Sequence, residues 1–182
     1  MTSKLKRLYK EEIVDSLFHK LNCTNKHQVP KLTKIKINRG LGLSAQNNTI
    51  LNKTIEEFKL ICGQQPIVTK ARNSVAGFKI RDGMSLGVTV TLRGNKMFTF
   101  LDRFINLALP RSRDFQGLNP NGFDKFGNYT VGLNEQLLFP EISYDSIDQM
   151  LGFNITFVTT ATTPMEGFLL LKEFGLPINE KI

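Results

Sequence analysis

Apolar and polar residues alternate strictly from Met84 to Arg93, with Met84, Leu86, Val88, Val90 and Leu92 on one side and Ser85, Gly87, Thr89, Thr91 and Arg93 on the other. A period of two sends successive side chains to opposite faces, so this run predicts a strand with one face in the core and a short polar face outside. Ile67 to Ala71 predicts a second strand, and the loop joining the two carries Arg72, Lys79 and Arg81 among small residues. Leu32 to Asn38 repeats the theme, with Thr33, Ile35 and Ile37 facing inward and Lys34, Lys36 and Asn38 outward. Tyr129 to Leu137 and Gly152 to Ala161 alternate in the same way.

Helical spacing takes over elsewhere. Lys4 to Leu21 gathers Leu8, Tyr9, Ile13, Val14, Leu17, Phe18 and Leu21 on one face. Thr49 to Cys62 does so with Leu51, Ile55, Phe58 and Ile61, with Asn48 expected as N-cap and Gly63 as terminator. Asn95 is expected to cap a third helix, with Met97, Leu101, Phe104 and Ala108 inward and Pro110 at its end. Thr163, Pro164 and Glu166 supply an N-cap, a first-turn proline and a capping-box partner for a last helix that stops at Gly175. With Tyr129 to Leu137 as fourth strand, the order strand, helix, strand, strand, helix, strand is the split βαβ arrangement of ferredoxin-like folds. The expected class is α+β: an antiparallel sheet with helices packed on one face, a ferredoxin-like or RRM-like core with an additional strand, terminal helices and a long loop. One domain is expected over residues 1–182, with an N-terminal helix at 4–21, a core at 32–177, a projecting loop at 72–84 and a long loop at 111–128.

Composition adds that 41% hydrophobic and 22% charged residues make an ordinary folded chain, with no apolar run near the roughly 18 residues that cross a bilayer. The start lacks a signal-peptide apolar core, and Glu11, Glu12 and Asp15 do not suit an acid-poor transit sequence, so the protein is expected to work where it is made. Cys23, Cys62, His19 and His27 stand alone, which indicates neither a metal site nor a disulfide framework. The net charge of +8 is uneven: +7 over residues 1–40, +5 over 41–109 and −4 over 110–182. A membrane-surface protein would concentrate its lysines on one amphipathic helix; here they also lie on strands and loops, which favours nucleic acid as the polyanion. Lys4, Lys6, Arg7 and Lys10 oppose the dipole of the first helix, and an external anion or plain solvation would account for them.

Candidate chemistry is thin. Gly40 and Gly42 lack the third glycine of a dinucleotide fingerprint, no phosphate-loop lysine follows, and a tight turn explains them. Glu141, Asp145 and Asp148 have no histidine or lysine near them in sequence and form a solvated turn or a patch for a basic neighbour. Phe115, Phe123 and Phe126 either anchor the long loop by burial or stack on bases. The outward strand residues, Lys34, Lys36, Asn38, Thr89, Thr91, Arg93, Thr130, Asn134, Asn154 and Thr156, are short hydroxyls and amides with a few cations. Such a set suits 2′-hydroxyls and phosphates of folded RNA, and a sheet open to water remains the alternative. A base-stacking sheet would show exposed aromatics, so structured RNA is the expected partner.

The runs KLTKIKINRGLG, ICGQQPIVTKARNSVAGFKIRDGMSLGVTVTLRG, FLDRFINLALPRSRDFQGLNPNGFDKFGNYTVGLNEQLLFPEISYD and ITFVTTATT closely resemble the universal large-subunit ribosomal protein family numbered five, in its bacterial and organellar form. The resemblance extends from about Lys4 to Pro177. It implies a non-catalytic protein without cofactor or metal that binds 5S ribosomal RNA and helps anchor it in the central protuberance. By resemblance the 5S contacts fall on Asn38, Gln64 and Thr91, with Lys34, Lys36 and Arg93 supporting. The loop with Arg72, Asn73, Ser74, Lys79 and Arg81 is implied to reach 23S RNA and the P-site transfer RNA. A small-subunit head protein across an intersubunit bridge and neighbouring large-subunit proteins are further implied partners. Gly40, Leu41, Gly42, Leu43 and Ser44 depart from the Gly-Val-Gly-Glu of many bacterial members, which loosens any contact inferred for that turn. Abundant Asn, Ile, Lys and Phe suggest an AT-rich genome, and a plastid ribosome is expected ahead of a bacterial one.

Overall fold

The computed structural model describes residues 3–113, 115–144, 147 and 149–179. Strands β1 (Leu32–Gly40), β2 (Ile67–Lys70), β3 (Ser85–Leu92), β4 (Tyr129–Leu133) and β5 (Phe153–Thr159) form one antiparallel sheet in the order β2-β3-β1-β5-β4. Helix α1 (Lys4–Leu8) runs through a wide π turn, Tyr9–Ile13, into α2 (Val14–Lys20). Helices α3 (Asn48–Cys62), α4 (Gly94–Arg103) and α5 (Pro164–Glu173) complete the α+β fold.

The sheet order is that of a split βαβ core, with one reassignment. The strand beside β1 is β5, and β4 lies at the outer edge. Burial explains the exchange. Phe153, Ile155 and Phe157 are all buried along β5, whereas β4 buries only Tyr129 and gives way to a 3-10 turn at Gln136–Leu138. The strand with a complete apolar face takes the central position, and the one without it takes the edge. In β1 the inward phase is set by Ile35, Ile37 and Arg39, while Leu32 is buried and Thr33 exposed, contrary to the expected inward Thr33.

Several helix ends also differ by a residue or two. Asn47, not Asn48, caps α3, its Oδ1 accepting from Thr49 N at 3.0 Å. The position before α4 is Arg93, which makes no side-chain cap; Asn95 instead accepts from Lys6 Nζ at 2.8 Å. Pro110 does not stop the chain turning, because a π turn at Phe104–Ala108 leads into a 3-10 turn at Leu109–Arg111 that contains it. Thr163 caps α5 as expected, but Glu166 reaches back to Thr162 N and Oγ1 instead of closing a box on Thr163. Gly63 ends α3 at φ 60°, the left-handed conformation that glycine adopts without a Cβ clash.

Contacts divide the chain into two compact units. The first, Met1–Ile35, Leu92–Val131 and Ile155–Ile182, has an aromatic core. Tyr9 stacks on Phe174 with centroids 5.5 Å apart, Phe104 packs on Phe157 at 5.9 Å, and Phe123 meets Tyr129 at 4.6 Å. Burial pushes the Tyr129 phenol up to about 12, and its hydroxyl donates to Asn119 O at 2.9 Å, which ties down the long loop. That loop is anchored through Phe123, whereas Phe115 and Phe126 are 37% and 68% exposed.

The second unit, Lys36–Thr91 and Gly132–Asn154, is built on a buried ion pair. Arg39 is fully buried, and its guanidinium donates from Nη1 to Glu57 Oε2 at 2.5 Å and from Nη2 to Gln136 Oε1 at 3.1 Å and Leu151 O at 3.2 Å. It lies between the rings of Phe58 and Phe153, 5.0 and 5.5 Å from their centroids. Burial holds the guanidinium below its ordinary value, and the Glu57 carboxylate offsets only part of that. Gln136, also fully buried, accepts from Leu151 N at 2.9 Å and donates to Gln149 O at 3.1 Å, so one network joins β1, α3 and the 136–151 segment.

Removing one member strands the others in a dry site. Arg39→Ala is therefore expected to cost about 3–5 kcal/mol, while an apolar replacement of both charges, Arg39→Met with Glu57→Leu, recovers a large part of that loss. Urea unfolding of the three variants checks the ranking, and equal losses for the single and double variants would contradict it.

Candidate nucleic-acid interface

In the second unit, period-2 geometry turns Lys36 and Asn38 away from the face that holds Ile37 and Arg39; Lys36 is exposed and Asn38 half-buried. On the neighbouring strand β3, Thr89 and Thr91 are half-buried while Val88, Val90 and Leu92 fill the core. Thr89 Oγ1 donates to Ile37 O at 3.1 Å, which consumes its hydroxyl proton. Gln64 follows the α3 terminator, and its Nε2 donates to Thr91 O at 3.2 Å. The structure thus brings Gln64 and Thr91 together, two residues 27 positions apart in sequence. The side chains of Lys36, Asn38 and Thr91 make no hydrogen bond or ion pair among the described residues, which leaves their polar atoms available to a partner.

Close strand approach underlies this face. A Cβ on Gly87 would lie 2.3 Å from Arg39 O, so only glycine lets β3 seat against β1 there. The expected supporting cations Lys34 and Arg93 belong to the first unit, where Lys34 is half-buried on β1 and Arg93 is exposed before α4. Also in the first unit, Thr130 Oγ1 and Thr156 Oγ1 hydrogen-bond to each other at 3.1 Å.

The loop between β2 and β3 is a structured extension of their hairpin. Register runs from Ile67 opposite Thr89 to Lys70 opposite Ser85, with an irregularity at Thr69/Lys70. Beyond it Ala71 N donates to Met84 O at 2.8 Å and Gly83 N to Ala71 O at 3.1 Å. Nearer the tip Val75 N donates to Ile80 O at 2.9 Å and Ile80 N to Val75 O at 3.2 Å, and Ser74 Oγ accepts from Asp82 N at 2.9 Å. Arg72, Asn73, Ser74, Lys79 and Arg81 are all exposed, and no carboxylate pairs with the three cations among the described residues. Lys79 closes the tip at φ 54°, a conformation costly for any residue with a Cβ.

Two residues went unnoticed in the sequence. Arg39 continues the inward phase of Ile35 and Ile37, and that periodicity was the signal that it is buried. Phe78, in the loop tip, is 69% exposed, an aromatic in a glycine- and lysine-containing turn. Of the acidic group, Glu141 is half-buried, and Asp145 and Asp148 lie outside the described residues.

Two family models match the chain: one described as ribosomal protein L5 over residues 25–81, the other as the ribosomal L5P family C-terminus over residues 85–178. A large ribosomal subunit protein uL5c of Heterosigma akashiwo is 61% identical over 180 residues, covering 99% of both chains. The uL5c protein of Oedogonium cardiacum is 55% identical over 97% of this chain and 98% of its own. The uL5 protein of Nostoc sp. is 54% identical over 99% of both.

Because a left-handed lysine strains the loop tip, Lys79→Gly is expected to hold the turn at least as well as the native residue while removing its charge. Lys79→Val, β-branched at the same φ, is expected to loosen it. Hydrogen exchange at the Val75 and Ile80 amides reads the difference; faster exchange in Lys79→Gly than in Lys79→Val would refute the assignment.

Proposed function

The chain belongs to the ribosomal protein L5 family and is a structural constituent of the large ribosomal subunit; from that premise we propose that it binds 5S ribosomal RNA and helps anchor it in the central protuberance. Its ribosome is of the plastid type, in line with the relatives named uL5c. Asn38, Gln64 and Thr91, with Lys36 beside them, offer amide, hydroxyl and ammonium groups to 2′-hydroxyls and phosphates. Lys34 and Arg93, in the first unit, are further cations proposed to contact 5S RNA. The observation that carries this reading is the pairing of Gln64 with Thr91 beside the unpartnered side chains of Lys36 and Asn38. Short polar groups on strands read shape, because strands hold them at fixed spacing and the shallow minor groove of RNA displays 2′-hydroxyls at the surface.

The hairpin extension from Arg72 to Met84 is a second contact, directed at 23S RNA and the P-site transfer RNA. Three exposed, unpaired cations support it, since phosphate contact is what repays their display. The net negative charge of residues 110–182 suits a basic protein neighbour, which fits a small-subunit head protein across an intersubunit bridge and adjoining large-subunit proteins.

Competition of 5S RNA against transfer RNA and a random duplex, at near-physiological salt, tests the first contact. Preference for 5S RNA is expected, and equal affinity for all three sinks the reading. Asn38→Ala and Thr91→Ala should each weaken 5S binding roughly fivefold, about 1 kcal/mol for a lost hydrogen bond. Lys79→Gly with Arg81→Ala should leave 5S binding intact and impair transfer RNA binding by assembled ribosomes.

A further inference from the structure

Phe78 lies in the 3-10 turn Ala76–Phe78 at the tip of the hairpin extension, 69% exposed, with Val75 at 43% close by. The backbone that presents it is bonded on both sides: Phe78 N donates to Val75 O at 3.3 Å, Lys79 N to Ala76 O at 3.0 Å, and Val75 and Ile80 exchange two hydrogen bonds. A ring held there forgoes the roughly 1.5–3 kcal/mol that burying it would bring. Scattered apolar residues are common on protein surfaces, so exposure alone decides nothing. The company of this one does: Arg72, Lys79 and Arg81 are exposed on the same loop without a carboxylate partner among the described residues. A ring among unpaired cations fits a partner that offers a flat apolar face and negative charge together. An unstacked nucleobase on a phosphate backbone has both, whereas a continuous duplex hides its base faces.

We infer that Phe78 is a stacking platform for an unstacked nucleobase, with Arg72, Lys79 and Arg81 taking the flanking phosphates, so that the loop selects a turn or loop of RNA over a continuous helix. This rests on the reading of the extension as an RNA contact and adds which structural feature of the RNA it takes. The two surfaces then differ in kind. The sheet residues read shape through short polar groups, and the loop tip reads the presence of one free base face.

The test uses the full chain and two RNAs of equal length: a hairpin with 5-iodouridine in its unpaired loop, and a continuous duplex with the same nucleotide in a paired position. Saturating unlabelled 5S RNA covers the sheet contact. Irradiation should crosslink the hairpin, not the duplex, to the peptide containing Phe78. Phe78→Leu should abolish that crosslink and weaken hairpin binding by roughly tenfold, within the range measured for base–aromatic stacking, leaving duplex binding unchanged; Phe78→Tyr should restore both. Crosslinking to other loop residues, or equal loss for the two RNAs in Phe78→Leu, overturns the platform while leaving the RNA contact standing. If neither RNA crosslinks within residues 72–84 and Arg72→Ala, Lys79→Gly and Arg81→Ala together change nothing, the parent reading fails and this inference with it.

Discussion

A guanidinium with no access to water is the constraint on which the second unit depends. Arg39 can be buried only while Glu57, Gln136 and Leu151 O surround it, so the network fixes three separate pieces of chain at once. It also fixes the phase of β1. Slipping the strand by one residue would turn Lys36 and Asn38 toward the core and take Arg39 away from its carboxylate and from the rings of Phe58 and Phe153. The cost of that exchange holds the polar face outward. Burial of one charge and presentation of the outward polar residues are therefore a single event, and the close seat of Gly87 against Arg39 O extends the lock to β3.

The first unit reaches the same end by different means. Its core is a run of rings, Tyr9, Phe98 and Phe174 in one group and Phe104, Phe157, Tyr129 and Phe123 in another, with no buried ion pair among the described residues. Aromatic packing tolerates the π turns at Tyr9–Ile13 and Phe104–Ala108, because wide helical turns reposition large side chains without breaking the helix. The hairpin extension lies outside both arrangements. It is closed by its own backbone hydrogen bonds, so its tip can present residues that contribute nothing to a core.

Fold class was legible because it rests on periodicity. Alternation in Met84 to Arg93 and helical spacing in Thr49 to Cys62 are properties of the chain alone. Sheet order was read less well: β4 and β5 both alternate, and only the completeness of the buried face, Phe153, Ile155 and Phe157 against Tyr129, separates centre from edge. Caps slipped by a residue where two asparagines adjoin, as at Asn47 and Asn48, since either can supply the same oxygen. The candidate surface was partly legible. Gln64 and Thr91 both stood out in the sequence, but the hydrogen bond that joins them across 27 positions did not. Arg39 was hidden because a charged residue between Asn38 and Gly40 reads as surface until its partner, 18 residues on, is known. Phe78 was hidden by its neighbours, whose small size and charge made the whole loop look uniformly polar.

The same guanidinium bears on how the protein feels salt. A formal charge of +8 suggests a broad cationic attractor, yet ions released from RNA on binding track only the side chains that reach phosphate. Arg39 sits one residue from Asn38 but is spent on Glu57, and Lys20 and Lys26 are engaged by Glu173 and Asp15. Strand β1, with three cations in the sequence, thus offers two, Lys34 and Lys36, to a polyanion. The electrolyte sensitivity that this strand would lend to a bound polyanion follows that smaller number, and its remaining outward polar group, Asn38, is uncharged and indifferent to ionic strength.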